Sequence, residues 1–346
     1  MTPPKRRKRS AERSSEDVAP SAAPPAGARA PVAWFSPELL IRLEFLRVFA
    51  PLAILGFLSS RVRYADQWIS EGGFCLPDLG AADAHESVYL PPISASAAWW
   101  VTSAVILSGL LVIVGYKTRP SAGVFAVLLA YVALADRLAA FTVNRLAPMI
   151  ALAICLSPAG TRFSVDAWLA RRKRAAEAAD ESDISARIEP PIEEMSGGVI
   201  RFLQAFLVVF YTASGVCKAR GDWLKHPAVL WTHLHDSYQT AFTFLLANTL
   251  PGFMWTVFQG MTLSFECLAL LWLGWKRLRP IGLVFALGMH LLIGLMFGPV
   301  IWFSLLMISV LLTCYLPDRF FERLAAELTA RFESPPPAHP QPPPEA

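Results

Sequence analysis

Long apolar runs alternate with short polar interruptions along this chain. The runs approach the ~20 residues that a helix needs to cross a bilayer. The strict two-residue alternation of a membrane barrel strand is absent. The pattern predicts about eight membrane helices, at residues 37–60, 97–116, 122–141, 145–157, 198–216, 253–275, 281–297 and 300–315. Pro51 predicts a kink in the first. The fourth is short for a full crossing and reads as tilted or buried within the bundle. Residues 241–250 read as an interfacial helix ending at Pro251, and residues 318–332 as an amphipathic stretch. The fold class is an all-α polytopic membrane helix bundle.

The interruptions set orientation. The basic residues Lys5 to Arg9 open a Pro/Ala-rich stretch with no packing pattern. Residues 1–36 therefore read as a disordered cytoplasmic tail, not as a cleaved signal peptide, whose apolar core would start sooner. Threading the helices from a cytoplasmic N-terminus puts Lys117 and Arg119, the Arg171–Arg174 run, and Lys276, Arg277 and Arg279 all inside, as the positive-inside tendency requires. Both termini are then expected in the cytoplasm, with segments 61–94 and 218–240 outside. The domain expected at 37–321 carries a charged cytoplasmic connector, 162–196. Residues 322–346 form an amphipathic end and a Pro-rich tail.

Composition agrees. Hydrophobic residues make up 54% of the chain and charged ones 17%, where a soluble domain is nearer ~25% charged. The net charge of +4 does not indicate nucleic acid, because the basic residues sit at helix ends and in the tail. Cys155, Cys267 and Cys314 fall in apolar helices. Cys75 and Cys217 face outward in this threading, and sequence leaves open whether they pair. His233, His235 and Asp236 lack a third ligand at a recognisable spacing, so no metal is expected. A single membrane histidine, His290, does not supply a haem with two.

Ionisable groups inside a membrane are costly and are usually functional or paired. Arg42 and Glu44 near the start of the first helix read as a surface ion pair, and Arg47 lies deeper. Asp136 and Arg137 read as a structural pair. Equal distance from the turn between their helices puts Glu266 and His290 at similar depth. They are expected to pair, as a polar clamp, a proton relay or an anchor for a quinone-like ligand. Lys218 sits where hydrocarbon meets water, followed by Asp222 and Trp223. It reads either as a snorkelling lysine with a tryptophan anchor or as a base.

Tyr211-x-x-x-Gly215-x-x-Lys218-x-x-x-Asp222-Trp223 resembles the membrane-domain motif of vitamin K-dependent gamma-carboxylase and its bacterial relatives, the HTTM (horizontally transferred transmembrane) domain proteins. Leu46-Arg47, Gly73-Phe-Cys-Leu-Pro77, Leu156-Ser-Pro-Ala-Gly160 with Ser164-Val-Asp166, and Gly288-Met-His290 fit the same pattern. The resemblance spans residues 37–321. It implies that Lys218 is the base acting on a quinol, with Asp222 and Trp223 beside it and His290, Glu266 and Arg47 as cofactor-binding residues. The chain departs from the carboxylase at Phe141-Thr-Val-Asn144-Arg145, where that enzyme has a histidine. No lumenal domain follows the last predicted helix, so carboxylation of a tethered protein is not expected.

The function expected is that of a carboxylase-like protein of a cell membrane, the bacterial inner membrane on this resemblance. Its quinol-linked chemistry would occur at a cavity open to the outside. The alternative is a non-catalytic factor for maturation or export of a peptide. A transporter is disfavoured by the lack of an internal repeat. The partners expected are the bilayer and a lipophilic small molecule or an exported peptide.

Overall fold

The computed structural model describes residues 33–72, 90, 93–135, 142–180, 194–235 and 239–332. Asp136, Arg137, Asp236, Cys75 with its motif, residues 1–32 and residues 333–346 lie outside the described residues. The end of the tail expected to be disordered, Ala33–Phe35, forms a short helical turn that packs near the start of α7. The helices are α1 (Ile41–Ser59), α2 (Ala65–Trp68), α3 (Ala95–Val114), α4 (Thr118–Ala135), α5 (Thr142–Cys155), α6 (Val165–Asp180), α7 (Gly198–Arg220), α8 (Val229–Leu234), α9 (Ala241–Thr249), α10 (Gly252–Cys267), α11 (Arg279–Met296), α12 (Ile301–Tyr315) and α13 (Asp318–Phe332). This is the all-α polytopic bundle of an integral membrane protein.

Among the described residues, five helices are long and apolar enough to cross a membrane: α3, α4, α7, α11 and α12 with the turn before it. A sixth span arises if α9 and α10, which meet at 116°, are one broken crossing. The remaining two predicted spans are α1, whose first turns carry Arg42, Glu44 and Arg47, and the fourteen-residue α5. Two further differences have physical causes. The connector expected at 162–196 holds a helix, α6, built from the good helix formers of Ala167 to Ala179. The span expected at 253–275 stops at Cys267 and resumes as a wide helical turn, Leu270–Gly274.

Helix α1 is the hub. It packs on α3, α5 and α12, while α12 also leans on α11 and α7. The main core is a continuous cluster running from Leu40 through Phe125 and Ile154 to Leu311, with a small second cluster around Leu234 and Trp255. Strands β1 (Pro37–Leu39) and β2 (Glu194–Ser196) pair antiparallel and tie the starts of α1 and α7 to one end of the bundle.

The charges of α1 are spent at that same end. The surface ion pair expected between Arg42 and Glu44 does not form, and both side chains are buried. Arg42 donates to the carbonyls of Thr313 (2.9 Å) and Leu316 (2.8 Å) and to Asp318 (2.5 Å). Its guanidinium lies 4.7 Å from the ring centre of Phe321, which is fully buried and pins α13 against α1. Helix ends present bare carbonyls, and arginine's planar fork reaches several at once.

Candidate functional site

Tyr211, Gly215 and Lys218 stand at i, i+4 and i+7 of α7 and so share one helical face. Gly215 sets the distance to α10. A methyl group there would lie 2.6 Å from the Cys267 nitrogen and 2.9 Å from the Glu266 Cβ, so only glycine allows this crossing. The close approach brings Lys218 to Glu266, with Nζ 2.5 Å from Oε1. The Glu266 side chain is nearly buried, and the Lys218 side chain is 28% exposed. The Lys218 Nζ also sits 4.9 Å from the centre of the Trp223 ring, so the ammonium rests on an aromatic face. Two turns back, the Tyr211 hydroxyl lies 2.6 Å from His290 Nε2 on α11.

The structure thus divides the expected Glu266–His290 pair. Each side chain binds a different residue of α7, and no direct hydrogen bond joins them among the described residues. Both keep an unused atom: Glu266 Oε2 and His290 Nδ1 are buried and without a hydrogen-bond partner.

Lys218 and Trp223 line a cavity of about 640 Å³. Its origin is architectural. Near Leu270–Gly274, α11 packs closely on the chain that continues α10, but α10 and α11 then diverge. The opening between them is walled by Phe258, Met261, Phe285 and Met289 and roofed by α8 and α9 through Leu230, His233, Phe242 and Leu246. Apart from Lys218, His233 and Thr262, the lining is apolar and aromatic. Such a space suits a lipophilic molecule with one polar end.

One residue fastens the roof. Gln259 is buried in α10. Its amide donates to the carbonyls of Trp223 (2.7 Å) and His226 (2.9 Å) and accepts from the Leu230 nitrogen (3.0 Å). It escaped the sequence reading, although a lone glutamine in an apolar run is a polar group that must find partners.

The other expected site residues lie elsewhere. Asp222 is exposed on the turn after α7, where its backbone carbonyl accepts from Lys225 and His226 and its carboxylate is off the cavity wall. Arg47 is buried at the end of the bundle where α1 begins. Its guanidinium donates to Glu44 (2.9 Å) and to the carbonyls of Val112 (2.9 Å), Ile113 (2.6 Å) and Phe163 (2.6 Å). Glu44 Oε1 accepts from the Gly160 and Arg162 nitrogens. Gly160 has φ +90°, and a side chain there would strike Thr118. The Asp166 carboxylate accepts from the backbone nitrogens of Lys117 (2.8 Å) and Thr118 (3.0 Å). The Leu156–Gly160 and Ser164–Asp166 segments therefore tie helix ends together, with Arg47 as the central donor. Among the described residues, no group of three His, Cys, Asp or Glu side chains gathers as a metal site.

Residues 87–182 match the family model of the HTTM domain. The HTTM family is linked to vitamin K-dependent carboxylase-like membrane proteins. The matched segment covers α3 to α6 and contains Gly160 and Asp166, while Glu44 and Arg47, which bond to it, lie N-terminal. Lys218, Glu266 and the cavity lie C-terminal to it. No curated protein and no solved structure matches the chain.

Proposed function

We propose that the chain binds a quinol-like lipophile in the cavity between α10 and α11, with the Lys218–Glu266 pair at the polar end and Lys218 acting as a base. Helix α7 is read as carrying Lys218 to the external side, with both termini in the cytoplasm. The cell membrane of a bacterium is the setting this reading favours. The observation that carries it is a buried carboxylate oxygen, Glu266 Oε2, left without a partner beside an amine that lines an otherwise apolar cavity.

The residues present fit such a ligand. Apolar and aromatic walls accept rings and a hydrocarbon tail, and the Lys218 amine, with Glu266 behind it off the cavity wall, serves a hydroxyl group. A quinol, when bound, would supply an ionisable hydroxyl and a pair of reducing equivalents. The protein's part is to hold and move a proton. Nζ and Oε1 are close enough to share one, and its shift toward Oε1 leaves the amine able to accept another from the cavity. The amine then carries positive charge beside the polar end, where the surrounding apolar walls make that charge count more than it would in water.

The test is Lys218→Arg together with Glu266→Gln in the full chain. Lipophiles retained through purification are read by mass spectrometry of an organic extract, alongside turnover of an added quinol. Arginine keeps the charge but does not shed its proton in proteins. Ligand retained with turnover lost supports the base. A Lys218→Arg protein with full turnover retires it and leaves a non-catalytic role in maturation or export of a peptide.

A further inference from the structure

We infer that the cavity is filled sideways from the bilayer, through a portal between α10 and α11 edged by Met261, Val284 and Leu292. The inference rests on the reading of the cavity as a lipophile site and adds the route and the shape of what uses it.

On α11 the outward stripe runs through Ile281 (60% exposed), Val284 (72%), Leu291 and Leu292 (42%). Ile281, Val284, Gly288 and Leu292 follow one another at steps of three to four residues and so share a face. Val284, Gly288 and Leu292 of that stripe are also cavity wall. On α10 the outward stripe includes Phe253, Val257 and Met261, and Met261 is cavity wall as well. The edge of the cavity is thus the edge of the apolar outer surface on both helices. Helix α11 is long and apolar enough to span a membrane, and α10 reaches that length and hydropathy only together with α9. On α11 the apolar outer surface meets lipid tails, and the portal places α10 beside them. The roof is closed differently. Leu234 and Trp255 are buried in a small cluster of their own beneath the segment that Gln259 fastens.

A void of this size holds a ring-sized head and the start of a tail. A longer tail has an apolar exit through the portal and need not be buried in the protein. The ligand class is therefore a single-tailed amphiphile whose head enters from the membrane and whose tail stays in it.

Gly288 offers a probe, because a side chain added there meets nothing within 4 Å. The full chain, with native cysteines changed to serine, carries Gly288→Cys and is reconstituted in phosphatidylcholine–phosphatidylglycerol vesicles. Labelling by bilayer-soluble N-(1-pyrenyl)maleimide is compared with that by a charged trimethylammonio-ethyl methanethiosulfonate. Ile281→Cys is the lipid-exposed reference and Thr232→Cys the water-exposed one. Gly288→Cys should follow the lipid reference. Adding Val284→Trp should slow its pyrenyl labelling by about tenfold, equivalent to ~1.4 kcal/mol of barrier, and leave Ile281→Cys unchanged. Leu292→Cys serves the same purpose if Gly288→Cys fails to fold. Gly288→Cys labelling that follows the water reference, or is indifferent to Val284→Trp, overturns the lateral route. Lipophile retention is measured separately. Its loss with the labelling pattern intact would remove the ligand reading and keep the portal.

Discussion

The ion pair of Lys218 and Glu266 depends on a single missing side chain, that of Gly215. Two predictions belong here. Gly215→Ala should overpack the α7–α10 crossing and destabilise the protein by ~1–3 kcal/mol, read as a lower unfolding temperature in detergent. An unchanged temperature would mean that the helices do not approach as described. Lys218→Met alone should be worse than Lys218→Met with Glu266→Gln, because the single change strands a buried carboxylate. Breaking a buried pair typically costs ~3–5 kcal/mol, and partial exposure of this amine places the effect below that range. Equal losses for the single and double variants would show no coupling. Lys218 was legible in the sequence as a cation at a membrane edge. Its partner was not, since nothing in the sequence places Glu266 at the depth and on the face that Gly215 opens.

At the scale of elements, one irregularity accounts for that miss. Residues 253–275 hold no proline to interrupt a straight helix. A straight helix puts Glu266 level with His290, counting from the intervening turn. The chain instead breaks after Cys267, with Leu268 at φ −106° and ψ 25°, and continues as a wide turn. Wide turns hold more residues than an α-helical turn, so the register changes and Glu266 is re-aimed toward α7. The knot at the opposite end was clearer. Gly160 and Asp166 were visible as motif residues, and a glycine at positive φ with an aspartate bonded to two backbone nitrogens explains why those types stand there. Asp166→Ala should lower stability by ~1–2 kcal/mol through the lost cap without changing ligand retention. A lost ligand would join the two ends of the molecule in a way the contacts do not. Gln259→Leu should do the reverse. It abandons two carbonyls and a backbone nitrogen at a cost of ~1–3 kcal/mol. Amide exchange across residues 224–235 should rise while α1 to α5 stay protected. Uniform change across both regions would deny Gln259 a local role.

For the whole molecule, helix type and most boundaries were legible because apolar length and basic turns are one-dimensional signals. A cavity beside Lys218 was expected, but its place between α10 and α11 was not, because it comes from the divergence of two helices that sequence reads as simple neighbours. Orientation is the claim on which the external placement of Lys218 depends. The structure gathers β1, the Arg47 knot, Arg279 and α13 at one end, and Lys218, α8 and α9 at the other. The basic turns fall at the first end, which the positive-inside tendency puts in the cytoplasm. Thr232 on α8 and Arg172 on α6 are both exposed and lie on segments at opposite ends. In intact cells, Thr232→Cys should react with a membrane-impermeant maleimide, and Arg172→Cys only after the cells are opened. The reverse pattern would turn the whole bundle over and place the cavity on the cytoplasmic side. The Lys218–Glu266 geometry would survive, but any proton taken up there would then come from the opposite compartment.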